Sequence, residues 1–169
     1  MPATTISLIG MPGAGKSTIG VVLAKLSGLR FVDTDLNIQV QAGATLQQIL
    51  DSKGYQYLRS LEEEVLLGIE LGGAIIATGG SVVYSEVVMR QLTNAGPVVY
   101  LQADLPTLQQ RVAAAPLRGI ACAAGQDFAG IFAERTPLYK RYADLVVDAS
   151  AGTPENVATA ILQALELPR

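Results

Sequence analysis

The sequence predicts an α/β protein built on a parallel sheet, and three observations carry the prediction. Short apolar runs recur at 6–9, 31–32, 74–77, 98–101 and 145–147, with helical patterns between them. The runs are apolar throughout rather than alternating, as strands buried on both faces are. A glycine-rich segment joins the first run directly to an amphipathic helix. At 169 residues the chain has the length of one domain with a single sizeable core.

The elements follow in order. After the run 6–9, Ile19, Val22, Leu23 and Leu26 stand at helical spacing, and Gly28 sits where a C-terminal cap belongs. The run 31–32 extends back to Arg30 and leads into Asp33-Thr34-Asp35. Residues 35–71 read as a mostly helical insertion of two or three pieces, punctuated by Gly43 and Gly54, and we expect it to form a subdomain over the strand ends. The stretch 113–126 is rich in Ala and Gly, contains Pro116, and reads as a mobile lid too broken for a stable helix. The last helix opens with Thr153 as N-cap and Pro154 at the first helical position, and Val157, Ile161 and Leu165 line one stripe of it.

Composition excludes several classes of function. The net charge is −3 and only 16% of residues are charged, which fits neither a disordered tail nor a basic nucleic-acid surface. The absence of histidine removes His-based triads, His metal sites and imidazole acid–base work, so proton chemistry falls to carboxylates, Lys, Tyr or water. A single cysteine, Cys122, forbids an internal disulfide and a thiolate metal cluster and fits a reducing compartment. With no secretion signal at the N-terminus and no apolar run of the roughly 18 residues that span a bilayer, we expect a soluble cytoplasmic protein, a monomer without membrane or nucleic-acid partners.

Gly10-Met11-Pro12-Gly13-Ala14-Gly15-Lys16-Ser17-Thr18 matches the phosphate-loop pattern G-x-x-x-x-G-K-[ST] in the strand-to-helix setting that pattern requires. Background frequencies make a chance match expected in well under about 1% of chains of this length. Backbone N–H groups of such a loop converge on phosphate oxygens at a helix N-terminus, where the dipole already favours an anion. Lys16 would span the β- and γ-phosphates of ATP, and Ser17 would ligate Mg²⁺. Asp33 and Asp35 leave one strand end together: one can hold the Mg²⁺ through water while the other faces an acceptor hydroxyl, or both can simply cap the next helix. Thr78-Gly79-Gly80-Ser81 ends the third run, where glycines let a ligand approach the backbone.

With that loop, the Asp-x-Asp, Arg59, the Thr-Gly-Gly strand end and Arg135-Thr-Pro-Leu-Tyr-Lys-Arg-Tyr in this order and spacing, the chain resembles the shikimate kinases along nearly its whole length. The resemblance implies a P-loop kinase of the nucleoside-monophosphate-kinase type, three-layer αβα with a five-stranded parallel sheet, a helical substrate subdomain and a lid. It implies phosphoryl transfer from ATP, with Mg²⁺, to the 3-hydroxyl of shikimate in aromatic amino acid biosynthesis. Carried over by motif, it makes Asp33 a Mg²⁺ helper, Asp35 the hydroxyl contact and base, Arg59 and Arg135 the clamp on the substrate carboxylate, Gly79 and Gly80 substrate-contacting backbone, and Arg111 a neighbour of the adenine.

The departures lie on the acceptor side. The family's triple glycine reads Gly79-Gly80-Ser81 here, its Phe-Arg pair reads Leu58-Arg59, the Gly-Glu before that pair reads Gly54-Tyr55, and its lid Arg-Pro-Leu-Leu reads Pro116-Leu117-Arg118-Gly119. Arg118, the Arg of the lid stretch, is the candidate to reach the transferring phosphoryl group. Two other functions fit the same motifs: a related kinase for another hydroxy acid or polyol of gluconate type, and a nucleotide-binding regulatory protein with a degenerate acceptor site. A carboxylated hydroxy acid is the expected small-molecule partner, because two guanidiniums can each bond one carboxylate bidentately.

Overall fold

The computed structural model describes residues 4–115, 119–121 and 125–167. Five parallel strands form one sheet: β1 (Ile6–Ile9), β2 (Arg30–Asp33), β3 (Ala74–Ala77), β4 (Val98–Gln102) and β5 (Leu145–Asp148), in the spatial order β2-β3-β1-β4-β5. β1 lies at the centre, with Leu8 opposite Ala77 on one side and Val99 on the other. β1, β3 and β4 are nearly fully buried, because helices cover both faces. The two edge strands differ from the sequence expectation of runs buried on both faces. β5 alternates between half-buried and exposed residues, and Val146 is 46% exposed. Successive side chains of a strand point to opposite faces, so β5 packs Leu145 and Val147 against the core and turns Val146 and Asp148 to solvent.

Helix α1 (Lys16–Ser27) opens at the phosphate loop and packs against the final helix α8 (Pro154–Ala164). Its buried stripe is Ile19, Gly20 and Leu23, whereas Leu26 is exposed. Gly28 closes α1 in the left-handed conformation, and Thr153 caps α8 by accepting from the Asn156 N–H.

Three helices follow β2: α2 (Thr34–Ala42), α3 (Leu46–Lys53) and α4 (Tyr55–Leu67). Gly43 and Gly54 end the first two at positive φ, and Thr45 with Gln48 forms a reciprocal capping box at the start of α3. These helices bury a small core of their own, Ile38, Ile49, Leu58, Leu61 and Val65, joined by Ala121. A 3₁₀ turn (Val82–Tyr84) follows β3 and leads to α5 (Glu86–Ala95).

Helix α6 (Leu105–Ala114) shows that the first residues of the stretch 113–126 are helical, because Asp104 caps a helix long enough to include them. Gly119 lies flat on the start of α3: a Cβ there would lie 2.5 Å from the Leu46 carbonyl carbon. Pro116, Leu117, Arg118 and Cys122 lie outside the described residues. Helix α7 (Phe128–Tyr142) carries Arg135. Among the described residues, no helix is long and apolar enough to cross a membrane.

Candidate active site

The carboxyl ends of β1, β2 and β3 carry the phosphate loop, Asp33 and Thr78-Gly79-Gly80, so strand direction alone gathers them on one edge of the sheet. A cavity of about 740 Å³ opens above that edge. Pro12, Gly13, Gly15, Lys16, Ser17 and Thr18 line one side, Asp35, Glu62, Gly79, Gly80 and Arg135 the floor, and Ile38, Leu58 and the segment 119–121 the far wall.

Gly15 takes φ 95° as the residue before α1, a backbone few side chains tolerate, and the first residues of the helix, Lys16, Ser17 and Thr18, line the cavity. Gly10, Met11 and Ala14 are buried beneath the loop. Lys16 is 9% exposed, and its Nζ donates to the carbonyls of Gly10 at 2.7 Å and Met11 at 2.9 Å. Arg111 sits behind the loop, donating to Gly13 O at 3.2 Å and to Ala149 O at 2.8 Å, and so ties the loop to the end of β5.

Asp33 and Asp35 divide in a way that the sequence left open. Asp33 Oδ1 caps α2, accepting from the N–H groups of Asp35 at 3.0 Å and Leu36 at 3.3 Å. Its Oδ2 accepts from the Ser17 hydroxyl at 2.7 Å. One carboxylate therefore both starts a helix and faces the loop. The two acids do not leave the strand end together as expected, since Thr34 already begins the helix: Asp33 ends β2, and Asp35 reaches the cavity from the first turn of α2. The hydroxyl and carboxylate oxygens of Ser17 and Asp33 are hard donors beside the loop, a set suited to Mg²⁺ completed by water and phosphate. Among the described residues no cluster of three His, Cys, Asp or Glu stands ready to hold an ion.

Glu62 is the site residue that the sequence did not single out. It lies on α4, 6% exposed; its Oε2 accepts from the Ser81 hydroxyl, and its Oε1 is buried without a hydrogen-bond partner. Burial, with the Asp35 charge nearby, pushes its carboxyl from 4.5 up to about 7 against the lowering effect of the Ser81 bond. A Cβ on Gly79 would collide with Glu62 Oε1 and lie 3.0 Å from Asp35 Oδ1, so glycine there lets both carboxyls reach the backbone. The signal in the sequence was weak: Glu62 is one of three consecutive glutamates, and only the helix phase shows that it alone points inward. Tyr139 holds the adjacent peptide by donating to Gly80 O, and burial raises its phenol well above the usual range, so it stays a neutral donor.

Arg135 lines this cavity and Arg59 an adjoining pocket that shares Glu62 and Ser81 with it, and the two side chains converge. Both donate through Nη2 to one oxygen, Ala121 O, at 3.1 Å and 2.8 Å. Arg135 is 1% exposed, and its Nε donates to the Tyr84 hydroxyl at 3.4 Å. The candidate residue Arg118 lies outside the described residues.

A family model described as shikimate kinase matches residues 12–166. The chain is 37% identical over 167 residues to shikimate kinase 2 of Enterobacter sp. (strain 638), covering 96% of this chain and 95% of that protein. Among solved structures, shikimate kinase from Acinetobacter baumannii in complex with shikimate is similar with TM-score 0.89 and 30% identity, over 97% of this chain and 93% of that one. Shikimate kinase from Aquifex aeolicus is similar with TM-score 0.80 and 31% identity, over 95% of each chain.

Proposed function

The chain belongs to the shikimate kinase family, and on that premise we propose that it transfers the γ-phosphoryl group of ATP to the 3-hydroxyl of shikimate. The observation that carries the acceptor is the convergence of Arg59 and Arg135 on a single oxygen, that of Ala121, which lines one cavity with Arg135, the phosphate loop and Asp35. We read Ala121 O as occupying the place that a substrate carboxylate takes, since a carboxylate oxygen answers the same two donors with a charge-assisted bond.

In this reading residues 10–18 hold the nucleotide phosphates through their backbone N–H groups, Pro12 excepted because it has none, and Lys16 exchanges its carbonyl partners for phosphate oxygens as ATP arrives. Ser17 and Asp33 would hold Mg²⁺, which when bound offsets charge on the β- and γ-phosphates. Asp35 accepts the proton of the attacking hydroxyl, and the Gly79 and Gly80 backbone and Glu62 Oε1 bond the ring hydroxyls. Arg111 braces the loop near the adenine. We assign 35–71 as the acceptor subdomain and 113–126 as the lid of one kinase domain, with Arg118 reaching the transferring group. We also propose a cytoplasmic monomer that binds neither membrane nor nucleic acid; the modest negative charge supports the last of these.

Acceptor-dependent ADP release with shikimate, quinate, gluconate and a neutral polyol in parallel tests the assignment. Shikimate should be preferred, and Arg59→Ala or Arg135→Ala should each lower kcat/KM for it by about 30- to 1000-fold, the loss of a charge-assisted partner to a desolvated carboxylate. Preference for the neutral polyol, or indifference to both substitutions, would overturn it.

A further inference from the structure

Arg59 is flanked by aromatic rings. Its Cζ lies 4.1 Å from the Tyr84 ring centroid and 5.1 Å from that of Tyr55, and its Nε is buried with no hydrogen-bond partner. Arg135 shares one of these rings: its Cζ is 5.4 Å from the Tyr84 centroid, and its Nε reaches the phenol oxygen. The Tyr84 hydroxyl donates onward to Glu134, whose second oxygen accepts from Gln126 at 3.1 Å. The ring thus touches both guanidiniums and is itself anchored at its far end.

We propose that Tyr84, assisted by Tyr55, is a positioning residue that holds the Arg59 and Arg135 guanidiniums in the geometry of a carboxylate clamp and so sets acceptor specificity; this rests on the kinase reading above. An aromatic face attracts a guanidinium through its quadrupole but offers it no in-plane acceptor. The N–H groups pointing away from the rings therefore stay available, and both residues aim one of them at Ala121 O. A protein carboxylate could immobilise the same side chains, but it would also neutralise them and compete with the substrate anion. Packing against a ring orders two long side chains in advance without a direct carboxylate bond: Glu134, whose charge lies near both arginines, is bonded to Tyr84 and Gln126 instead. Tyr84 lies with Arg59 in the adjoining pocket, outside the lining of the cavity that holds the phosphate loop, and its contacts there are to the two guanidiniums, so it acts through the arginines.

The test uses the full chain with ATP, Mg²⁺ and shikimate. Tyr84→Leu should raise the KM for shikimate by about ten- to thirtyfold while kcat and the KM for ATP change less than about threefold. Tyr84→Phe, which keeps the ring, should raise the KM for shikimate less than about threefold, and Tyr55→Leu should fall between the two. In parallel, the side-chain N–H resonance of Arg59 should carry a ring-current shift in the wild type that shrinks in Tyr84→Leu and in Tyr55→Leu. An unchanged KM for shikimate in Tyr84→Leu, or a loss spread equally over kcat and both KM values, overturns the positioning role. Should Tyr84→Leu fail to fold, Tyr55→Leu decides between the same two outcomes through its own split of KM from kcat. A wild-type protein that binds ATP but neither binds nor phosphorylates shikimate overturns the functional reading and the clamp with it, while the arginine resonance reports separately whether the rings order Arg59.

Discussion

Replacing Glu62 by Gln should make this protein more stable and a poorer enzyme, with a pH signature. In the folded chain the Glu62 carboxyl holds its proton up to about pH 7, against 4.5 for an ordinary glutamate, chiefly because burial penalises the charge. The fold therefore binds this proton more tightly than the unfolded chain does, and protonation stabilises it. That contribution is complete below pH 4.5, declines as the pH rises, and is gone above about pH 7. At 1.36 kcal/mol per pKa unit the swing is about 3 kcal/mol. Gln is neutral at every pH, keeps the volume, and still offers an oxygen to the Ser81 hydroxyl, so its stability lacks this decline. Wild type and Glu62→Gln should thus match near pH 4.5 and differ by about 3 kcal/mol at pH 8. Urea unfolding at the two pH values measures it: with a slope of about 2 kcal/mol/M, the midpoints should separate by about 1.5 M at pH 8. Turnover should move the other way, since a Gln amide cannot replace an unpartnered carboxylate oxygen as acceptor for a ring hydroxyl, and kcat/KM for shikimate should fall by about 10- to 100-fold. A stability difference that does not change with pH would refute the buried-charge account.

Other substitutions separate the remaining roles. Lys16→Met should abolish phosphoryl transfer and also cost about 1 to 2 kcal/mol in unfolding experiments, because the Gly10 and Met11 carbonyls lose their donor; turnover within threefold of wild type would remove the phosphate-loop role. Asp35→Asn should lower kcat by about 100-fold or more with ATP affinity intact; weaker ATP·Mg²⁺ binding with normal kcat would exchange the roles of Asp33 and Asp35. Gly79→Ala forces a methyl against Glu62 Oε1, so it should cost about 1 to 3 kcal/mol of stability and raise the KM for shikimate while leaving that for ATP unchanged, as read by paired titrations.

What the sequence determined by itself is local or repetitive. The phosphate loop is contiguous, and its glycines, Lys16 and Ser17 act through the backbone that they themselves shape. Gly28, Gly43, Gly54 and Thr153 punctuate helices through hydrogen bonds to residues three or four positions away, so their effect is legible in a short window. Apolar runs marked the central strands, where burial on both faces leaves no other pattern; at the edge, β5 showed that a short apolar run does not reveal which side meets solvent. The tertiary structure decided what depends on distant neighbours. Glu62 differs from Glu63 and Glu64 only because helix phase and packing bury it beside Asp35 and Ser81. Asp33 caps a helix with one oxygen and meets Ser17 with the other because α1 and α2 start side by side. Arg59 and Arg135 belong to different helices, and Tyr84 comes between them from the turn after β3. A proton affinity, a shared acceptor and a ring between two cations are properties of an environment, and in this chain that environment is assembled from segments far apart in sequence, where no local pattern records it.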